Sequence, residues 1–294
     1  MIAEKDGIQE IITDGVSAVR ISNLKHFLVH QVFDCGQCFR FDPVSTSDHL
    51  CVFEGVAHKK YVRFIQDEPS ELTIVGATRG DYDEIWEHYL GLDLDYSAID
   101  ADILSRSDAP VLPTAAFRGM GIRILRQDPW ETLISFIISQ NNNIPRIKKI
   151  IRALCESLGE ELGNGYFSFP TPEAIVKAGY DHIFALKTGF RAKYILDAAE
   201  KVVSGEIDLG MIASLPYEAA KEKLCSIKGV GPKVASCVLL FGFAFYEAFP
   251  IDVWVKRILA KYFSKDFDPA TLGEYAGIAQ QYLFYFERYF GGEE

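Results

Sequence analysis

No stretch of this 294-residue chain is apolar enough, for long enough, to enter a bilayer. The longest such run, Val234 to Phe245, falls short of the roughly 20 residues that a spanning helix needs. The opening residues, MIAEKDGIQE, carry acids and lack an apolar core, so no secretory leader is read there. These absences predict an intracellular protein with no membrane partner, cytoplasmic if the source is bacterial. Cysteine is scarce and scattered, at Cys35, Cys38, Cys51, Cys155, Cys225 and Cys237. Without an export signal, that usage suits reduced thiols better than a disulfide framework. Cys35-Gly36-Gln37-Cys38 forms a CxxC, yet no second pair and no Cys/His cluster follows it. Zinc or redox chemistry is not expected there.

Positive charge is also in short supply. The net charge is −11, which at first sight argues against nucleic acid. Its distribution weakens that objection. The whole excess of acids lies in residues 1–117, and acids and bases cancel from 118 onward. Arg118, Arg123, Arg126, Arg146, Lys148, Lys149 and Arg152 form a locally basic stretch. Phosphate binding depends on the local field, not on the total. An apolar fraction of 49% with 24% charged residues is ordinary for a folded soluble protein.

The pattern along the chain predicts an α+β fold in two parts. Segments near 24–33, 37–43, 50–56, 60–66 and 71–76 are short and rich in Val, Phe, Tyr and Ile, as strands are. Asp42-Pro43 and Asp67-Glu68-Pro69 read as the turns between them. A helical pattern takes over from about Asp81, with Ile85, Tyr89 and Leu90 on one face. From residue 128 the chain reads as wholly helical. Asp128-Pro129-Trp130-Glu131 and Thr171-Pro172-Glu173 each place a cap and a first-turn proline at a helix start. The helix through Ile138 is apolar nearly all round and should be central. Further helices are expected near 145–158, 191–203, 217–227, 232–243, 252–262 and 271–290. The expected division is an N-terminal antiparallel β-sheet domain with helices over 1–115, followed by an all-helical domain over 116–294.

The segment from Leu224 to Ala235 carries the chemistry. A helix ends at Ile227, Gly229-Val230-Gly231 makes a tight reversal, and Pro232 opens a second helix. Unpaired N–H groups at that helix start favour an anion, and DNA phosphate is a natural candidate. An ordinary αα-hairpin with a glycine turn would carry the same signature. Lys233 shifts the balance, because a lysine in a first turn sits against the positive end of the helix. That field favours the neutral amine, the form a nucleophile needs. Asp252 follows Phe249-Pro250-Ile251 and is placed to cap the next helix. It is also a carboxylate that could stabilise positive charge developing on a sugar.

The helix–hairpin–helix, its GVGPK turn and the downstream Pro250-Ile251-Asp252 resemble the base-excision DNA glycosylases that carry a helix–hairpin–helix and a Gly/Pro–Asp element. Within that superfamily the chain is similar to the 8-oxoguanine DNA glycosylase/AP lyase family, from about Phe33 to Phe290. Four further motifs occur in the family's order: Gly36-Gln37-Cys38-Phe39-Arg40, Leu125-Arg126-Gln127-Asp128-Pro129, Asn141-Asn142-Asn143-Ile144-Pro145-Arg146, and Gly189-Phe190-Arg191-Ala192-Lys193-Tyr194. The resemblance implies a TBP-like N-terminal sheet domain and a helical domain with its hairpin over 217–243. It implies a monomer whose partner is damaged double-stranded DNA.

By the same resemblance, Lys233 attacks C1′ of a flipped nucleotide, expels the base and forms a Schiff base that undergoes β-elimination, with Asp252 as the acidic partner. Gly36, Cys237, Gln280 and Phe284 would form the base pocket, the Gly36 carbonyl accepting the N7–H that the oxidised purine possesses. Lys233 with Cys237, and Gln280 with Phe284, are spaced i,i+4, which suits one helix face or plain core packing. Asn141 and Phe190 would fill the hole, and Arg146 and Arg191 would read the estranged base. Gly229, Gly231, Val234 and Trp254 are the remaining implied DNA contacts. No organic cofactor is implied. Carbonyls of Cys225, Ile227 and Val230 would hold a monovalent cation, Na⁺ or K⁺. No cysteine follows Cys237, so the four-cysteine iron–sulfur cluster of endonuclease-III-like relatives is excluded.

Three departures from the family pattern stand out: Phe190 replaces a tyrosine, Trp254 a histidine, and Glu287 an aspartate. They imply an altered pocket gate and looser discrimination of the opposite base. The alternatives are a glycosylase for another oxidised or alkylated base and a non-catalytic helix–hairpin–helix module. An alkyl-base enzyme would lack the lysine, and a mere module leaves Lys233, Asp252, Gly36 and Gln280 without purpose.

Overall fold

A computed structural model of the protein describes residues 7–47, 50–106 and 109–291. The first part is a six-stranded antiparallel sheet in the order β1-β2-β6-β5-β4-β3. Its strands are β1 (Ile8–Thr13), β2 (Val16–Ile21), β3 (Phe41–Ser47), β4 (Leu50–Ala57), β5 (Lys60–Gln66) and β6 (Leu72–Val75). One short helix, α1 (Val29–Phe33), sits between β2 and β3.

The sheet departs from the sequence expectation at three places. Residues 24–33 are a loop and α1, not a strand: Val29, Gln31, Val32 and Phe33 are all buried, so the apolar run winds into the core. Strand β3 begins only at Phe41 and continues through Asp42-Pro43, which is no turn. Proline is tolerated there because β3 is an edge strand with a register shift between Pro43 and Ser45. The hairpin β1–β2 was not expected at all. Its turn is Asp14-Gly15, both with positive φ (52° and 76°), the pairing that two-residue hairpin turns favour.

Helices follow: α2 (Arg79–Asp81), a π-turn at Tyr82–Trp86, α3 (Glu87–Tyr89), α4 (Tyr96–Ser105), α5 (Val111–Arg118), α6 (Pro129–Ser139) and α7 (Ile144–Leu158). A small hairpin of β7 (Glu161–Gly163) and β8 (Tyr166–Phe167) interrupts the part that reads as wholly helical. Asn164 and Gly165 turn it with positive φ. Then come α8 (Pro172–Ile183), α9 (Ala192–Val203), α10 (Leu209–Ile212), α11 (Tyr217–Cys225), α12 (Pro232–Phe243), α13 (Val253–Tyr262) and α14 (Ala276–Phe290). Asp128, Asn143, Thr171 and Asp252 each cap their helix with a side-chain oxygen. Helix α6 is buried from Thr132 to Ile138 and packs on α12, so the two form the centre of the helical part.

Two apolar cores result. One lies under the sheet, around Phe33, Phe41, Phe64 and Trp86, and the other fills the helical part. The CxxC is divided between them: Cys38 enters the sheet core and Cys35 the helical one. Both thiols are free, and burial pushes that of Cys35 up to about 12, which leaves it protonated and inert. Gln37, buried between them, staples the two parts. Its amide nitrogen donates to the carbonyls of Val32 (2.8 Å) and Arg123 (2.9 Å), its side-chain oxygen accepts from Leu125 N (2.8 Å), and its carbonyl accepts from Gln127 (2.7 Å). Arg40 adds an ion pair to Glu131 at 3.1 Å across the same seam.

Candidate active site

Residues from four places in the chain line one cavity of about 60 Å³: Gly36 from the loop after α1, Lys233 and Cys237 from α12, Asp252 at the start of α13, and Gln280 and Phe284 from α14. Sequence reasoning named all six for one site, and the fold brings them together. Gly36 has φ +79°, a conformation that an L residue adopts only with strain, and a Cβ there would stand 3.7 Å from the Phe284 ring. Gln280 is buried on α14.

Lys233 lies on the first turn of α12, whose N-cap Gly231 offers no side-chain cap. Its Nζ sits 5.3 Å from the centroid of the Phe136 ring. The amine also reaches the thiol of Cys237. Burial pushes that thiol up, the nearby Lys233 amine pulls it back, and Asp252 pushes it up again. The cysteine thus serves as an apolar wall, not as a rival nucleophile. Asp252 Oδ1 accepts the α13 N–H of Val255 at 2.8 Å, so the cap and the carboxylate are one residue. Lys233 and Asp252 face one cavity without an ion pair within 4.0 Å, which leaves the amine outside a salt bridge.

The hairpin between α11 and α12 turns at Gly229, with φ +80°. A Cβ at Gly229 would fall 2.4 Å from the ring of Tyr194, so glycine is required both for the turn and for the packing. Helix α9 clamps the hairpin further: Asp197 accepts Lys228 N (2.8 Å), and Lys201 donates to the Ser226 carbonyl (2.6 Å). Val230 N donates to the Ile227 carbonyl (3.0 Å) to close the turn. Val234 turns its side chain into the core, so only its backbone is available to a phosphate.

The other residues named from sequence do not line the cavity. Asn141 is exposed in a left-handed conformation (φ 49°) at the end of α6, and Arg146 is exposed on the first turn of α7. Phe190 is 47% exposed. Arg191 stacks over it at 4.5 Å. The Arg191 guanidinium itself is buried, and it donates to the carbonyls of Gln140, Asn141 (3.0 Å) and Thr188 (3.3 Å). Most of its donors are committed to holding the Asn141 turn. Trp254, also 47% exposed, stands beside Arg257 on α13. Glu287 accepts from Tyr262 at 2.8 Å and ties α14 to α13.

Sequence reasoning missed Phe136, Gln281 and the role of Tyr194. Phe136 and Gln281 line the cavity. Phe136 lies in a helix buried on every side, where its signal is that of any core residue. Tyr194 closes the Gly189–Tyr194 motif, but its contact with Gly229 joins positions far apart in the chain.

Two family descriptions match the chain: the 8-oxoguanine DNA glycosylase N-terminal domain over residues 19–133, and the HhH-GPD superfamily of base-excision DNA repair proteins over 134–272. An N-glycosylase/DNA lyase of Saccharomyces cerevisiae is 37% identical over 259 residues, covering 80% of this chain and 68% of that protein. An N-glycosylase/DNA lyase of Arabidopsis thaliana is 35% identical over 188 residues, covering 56% of this chain and 51% of that protein. The Clostridium acetobutylicum 8-oxoguanine glycosylase/lyase, solved with duplex DNA containing cytosine opposite 8-oxoguanine, is 37% identical with a TM-score of 0.85. The match covers 96% of this chain and 98% of that one. A 3-methyladenine DNA glycosylase from Archaeoglobus fulgidus shares the fold at 20% identity and a TM-score of 0.69, over 93% of this chain and 99% of that one.

Proposed function

Because the chain belongs to the 8-oxoguanine DNA glycosylase family of helix–hairpin–helix base-excision proteins, we propose that it is a bifunctional 8-oxoguanine DNA glycosylase and abasic-site lyase. The observation that carries this reading is the cavity in which Lys233, Asp252, Gly36, Cys237, Gln280 and Phe284 meet beside a glycine hairpin. The duplex docks with a phosphate on the hairpin backbone at Gly229, Gly231 and Val234, where the start of α12 has no side-chain cap of its own. Carbonyls of Cys225, Ile227 and Val230 would be the oxygen donors for a monovalent cation at that grip. Ile227 keeps a second lone pair beside its bond from Val230. Phe190 and Asn141 occupy the gap left by the flipped nucleotide, and Arg146 and Arg191 face the base opposite. Trp254, exposed at the start of α13, adds a stacking or phosphate contact.

The lesion enters between Gly36, Gln280, Phe284 and Cys237. The Gly36 carbonyl accepts the N7–H of the oxidised purine. Lys233 in its neutral form then attacks C1′, the glycosidic bond breaks, and the base leaves with the bonding pair and takes up a proton. Ring opening gives a Schiff base between Lys233 and C1′. Loss of a proton from C2′ expels the 3′-phosphate by β-elimination, and water releases the enzyme. Asp252 stabilises the positive charge on the sugar during base loss and the cationic Schiff base that follows it. The enzyme acts as a monomer inside the cell, where its substrate lies. Among the described residues no helix is long and apolar enough to cross a membrane.

The test is borohydride trapping with a duplex holding 8-oxoguanine opposite cytosine. A covalent adduct that vanishes in Lys233→Gln is expected. No adduct with any oxidised purine would overturn the reading. The same duplex with adenine opposite measures what Phe190 and Trp254 do: comparable excision opposite cytosine and adenine is expected. A large preference for cytosine refutes the looser discrimination.

A further inference from the structure

We propose that Gln281 is a specificity-determining residue: it fixes which way round the Gln280 amide faces, and so selects a 6-oxopurine edge over a 6-aminopurine edge. The inference rests on the reading of the cavity as a base pocket. Gln280 and Gln281 are neighbours on α14, 3% and 4% exposed, and both line that cavity. Gln281 Nε2 donates to Gln280 Oε1 at 2.9 Å. The Oε1 of Gln281 is buried without a partner, and among the described residues no other side-chain oxygen lining the cavity is in that condition. A buried acceptor with no donor is costly, and native proteins retain few of them. Gln281 is therefore committed by its pairing with Gln280 and by nothing deeper in the core.

An amide has one donor end and one acceptor end, so two adjacent amides have two bonded arrangements. Turning Gln280 alone would set its NH₂ against that of Gln281. Turning both would orphan a buried NH₂ in place of a carbonyl, the worse of the two. The observed polarity is the favoured one, and Gln280 cannot reverse without its neighbour. Purine edges make use of that. A 6-oxopurine presents acceptor O6 beside donor N1–H, whereas a 6-aminopurine presents a donor amine beside acceptor N1. An amide that pairs with one must turn over to pair with the other.

Ionised, the side chain of Gln281→Glu can only accept and forces Gln280 to reverse, so this variant is assayed at alkaline pH, where the carboxylate form is favoured. Gln281→Leu removes the pairing and keeps the bulk. Single-turnover excision is measured on duplexes with 8-oxoguanine or 8-oxoadenine opposite cytosine, and cleavage of a preformed abasic site, which needs no base, is measured beside it. Wild-type protein should favour 8-oxoguanine. Gln281→Glu should lower the ratio of 8-oxoguanine to 8-oxoadenine excision by about tenfold or more, and Gln281→Leu by less. Abasic cleavage is the reference for each variant and should be lowered less than 8-oxoguanine excision. An unchanged ratio in either variant that still cleaves abasic sites overturns the proposal. So does loss of abasic cleavage in both, which would make Gln281 a structural residue. Wild-type protein that acts on neither lesion nor abasic site would overturn the base-pocket reading instead.

Discussion

The two ends of the cavity are built differently. Lys233 and Asp252, the chemical end, stand at the starts of two consecutive helices, α12 and α13. The recognition end joins Gly36, in the loop after α1, to Gln280 and Phe284 on α14 near the other end of the chain. The first end is local and can form wherever one helical layer folds. The second exists only where sheet part and helical part meet, so the choice of lesion depends on the seam and the reaction does not. Excision of a base and cleavage of a preformed abasic site should therefore respond separately to substitution.

Asp252→Asn is the strongest way to break that division. Asparagine caps a helix as well as aspartate, so stability should hold. Base excision and abasic cleavage should both fall about a hundredfold or more in single-turnover assays, because the charge on the sugar loses its counterpart in both. A loss confined to base excision would move Asp252 to the recognition end. Gly36→Ala acts on the other side. It places a Cβ at φ +79° beside Phe284, at a backbone strain of about 1 kcal/mol, and shifts the carbonyl that meets N7–H. Excision of 8-oxoguanine should drop about tenfold while abasic cleavage is retained. Equal losses in the two assays would show that the seam positions the nucleophile too.

The smallest effect expected is one of stability, and it separates the two parts by their histidines. Burial holds His30, His58 and His88, all in the first part, below the ordinary imidazole value of 6.5. The unfolded chain then takes up protons before the folded one does. Stability is full above pH 6.5 and declines as pH falls through that value toward the lowered folded ones. Urea midpoints should decrease across that window, and His30→Gln should flatten the decrease. A midpoint that rises on acidification would contradict the assignment.

The helical part was largely legible because its punctuation is strong: Asp128, Thr171 and Asp252 mark helix starts that the fold respects. The sheet was read less well. Residues 24–33 have strand composition but are pulled into α1 by burial, and the Asp14-Gly15 turn went unread. The same contrast holds in the site. Gly229, Lys233 and Asp252 could be picked out from local chemistry, since glycine spacing and first-turn charge are written in the chain. Gly36, Gln280 and Phe284 came from resemblance alone, for no periodicity links residues so far apart. Phe136 and Gln281 look like core, and only the cavity sets them apart.

Gln37 has a practical consequence for anyone recombining such proteins. Its amide is anchored on Arg123 and Leu125, and Gln127 returns a bond to its carbonyl. A chimera that takes a new sheet part but cuts the chain before residue 121 would carry away the glutamine and leave its sockets behind. The crossover should fall beyond Gln127, so that the whole extended strap travels with the sheet. A graft made there would exchange the lesion read beside Gly36 and keep the amine of Lys233 in place.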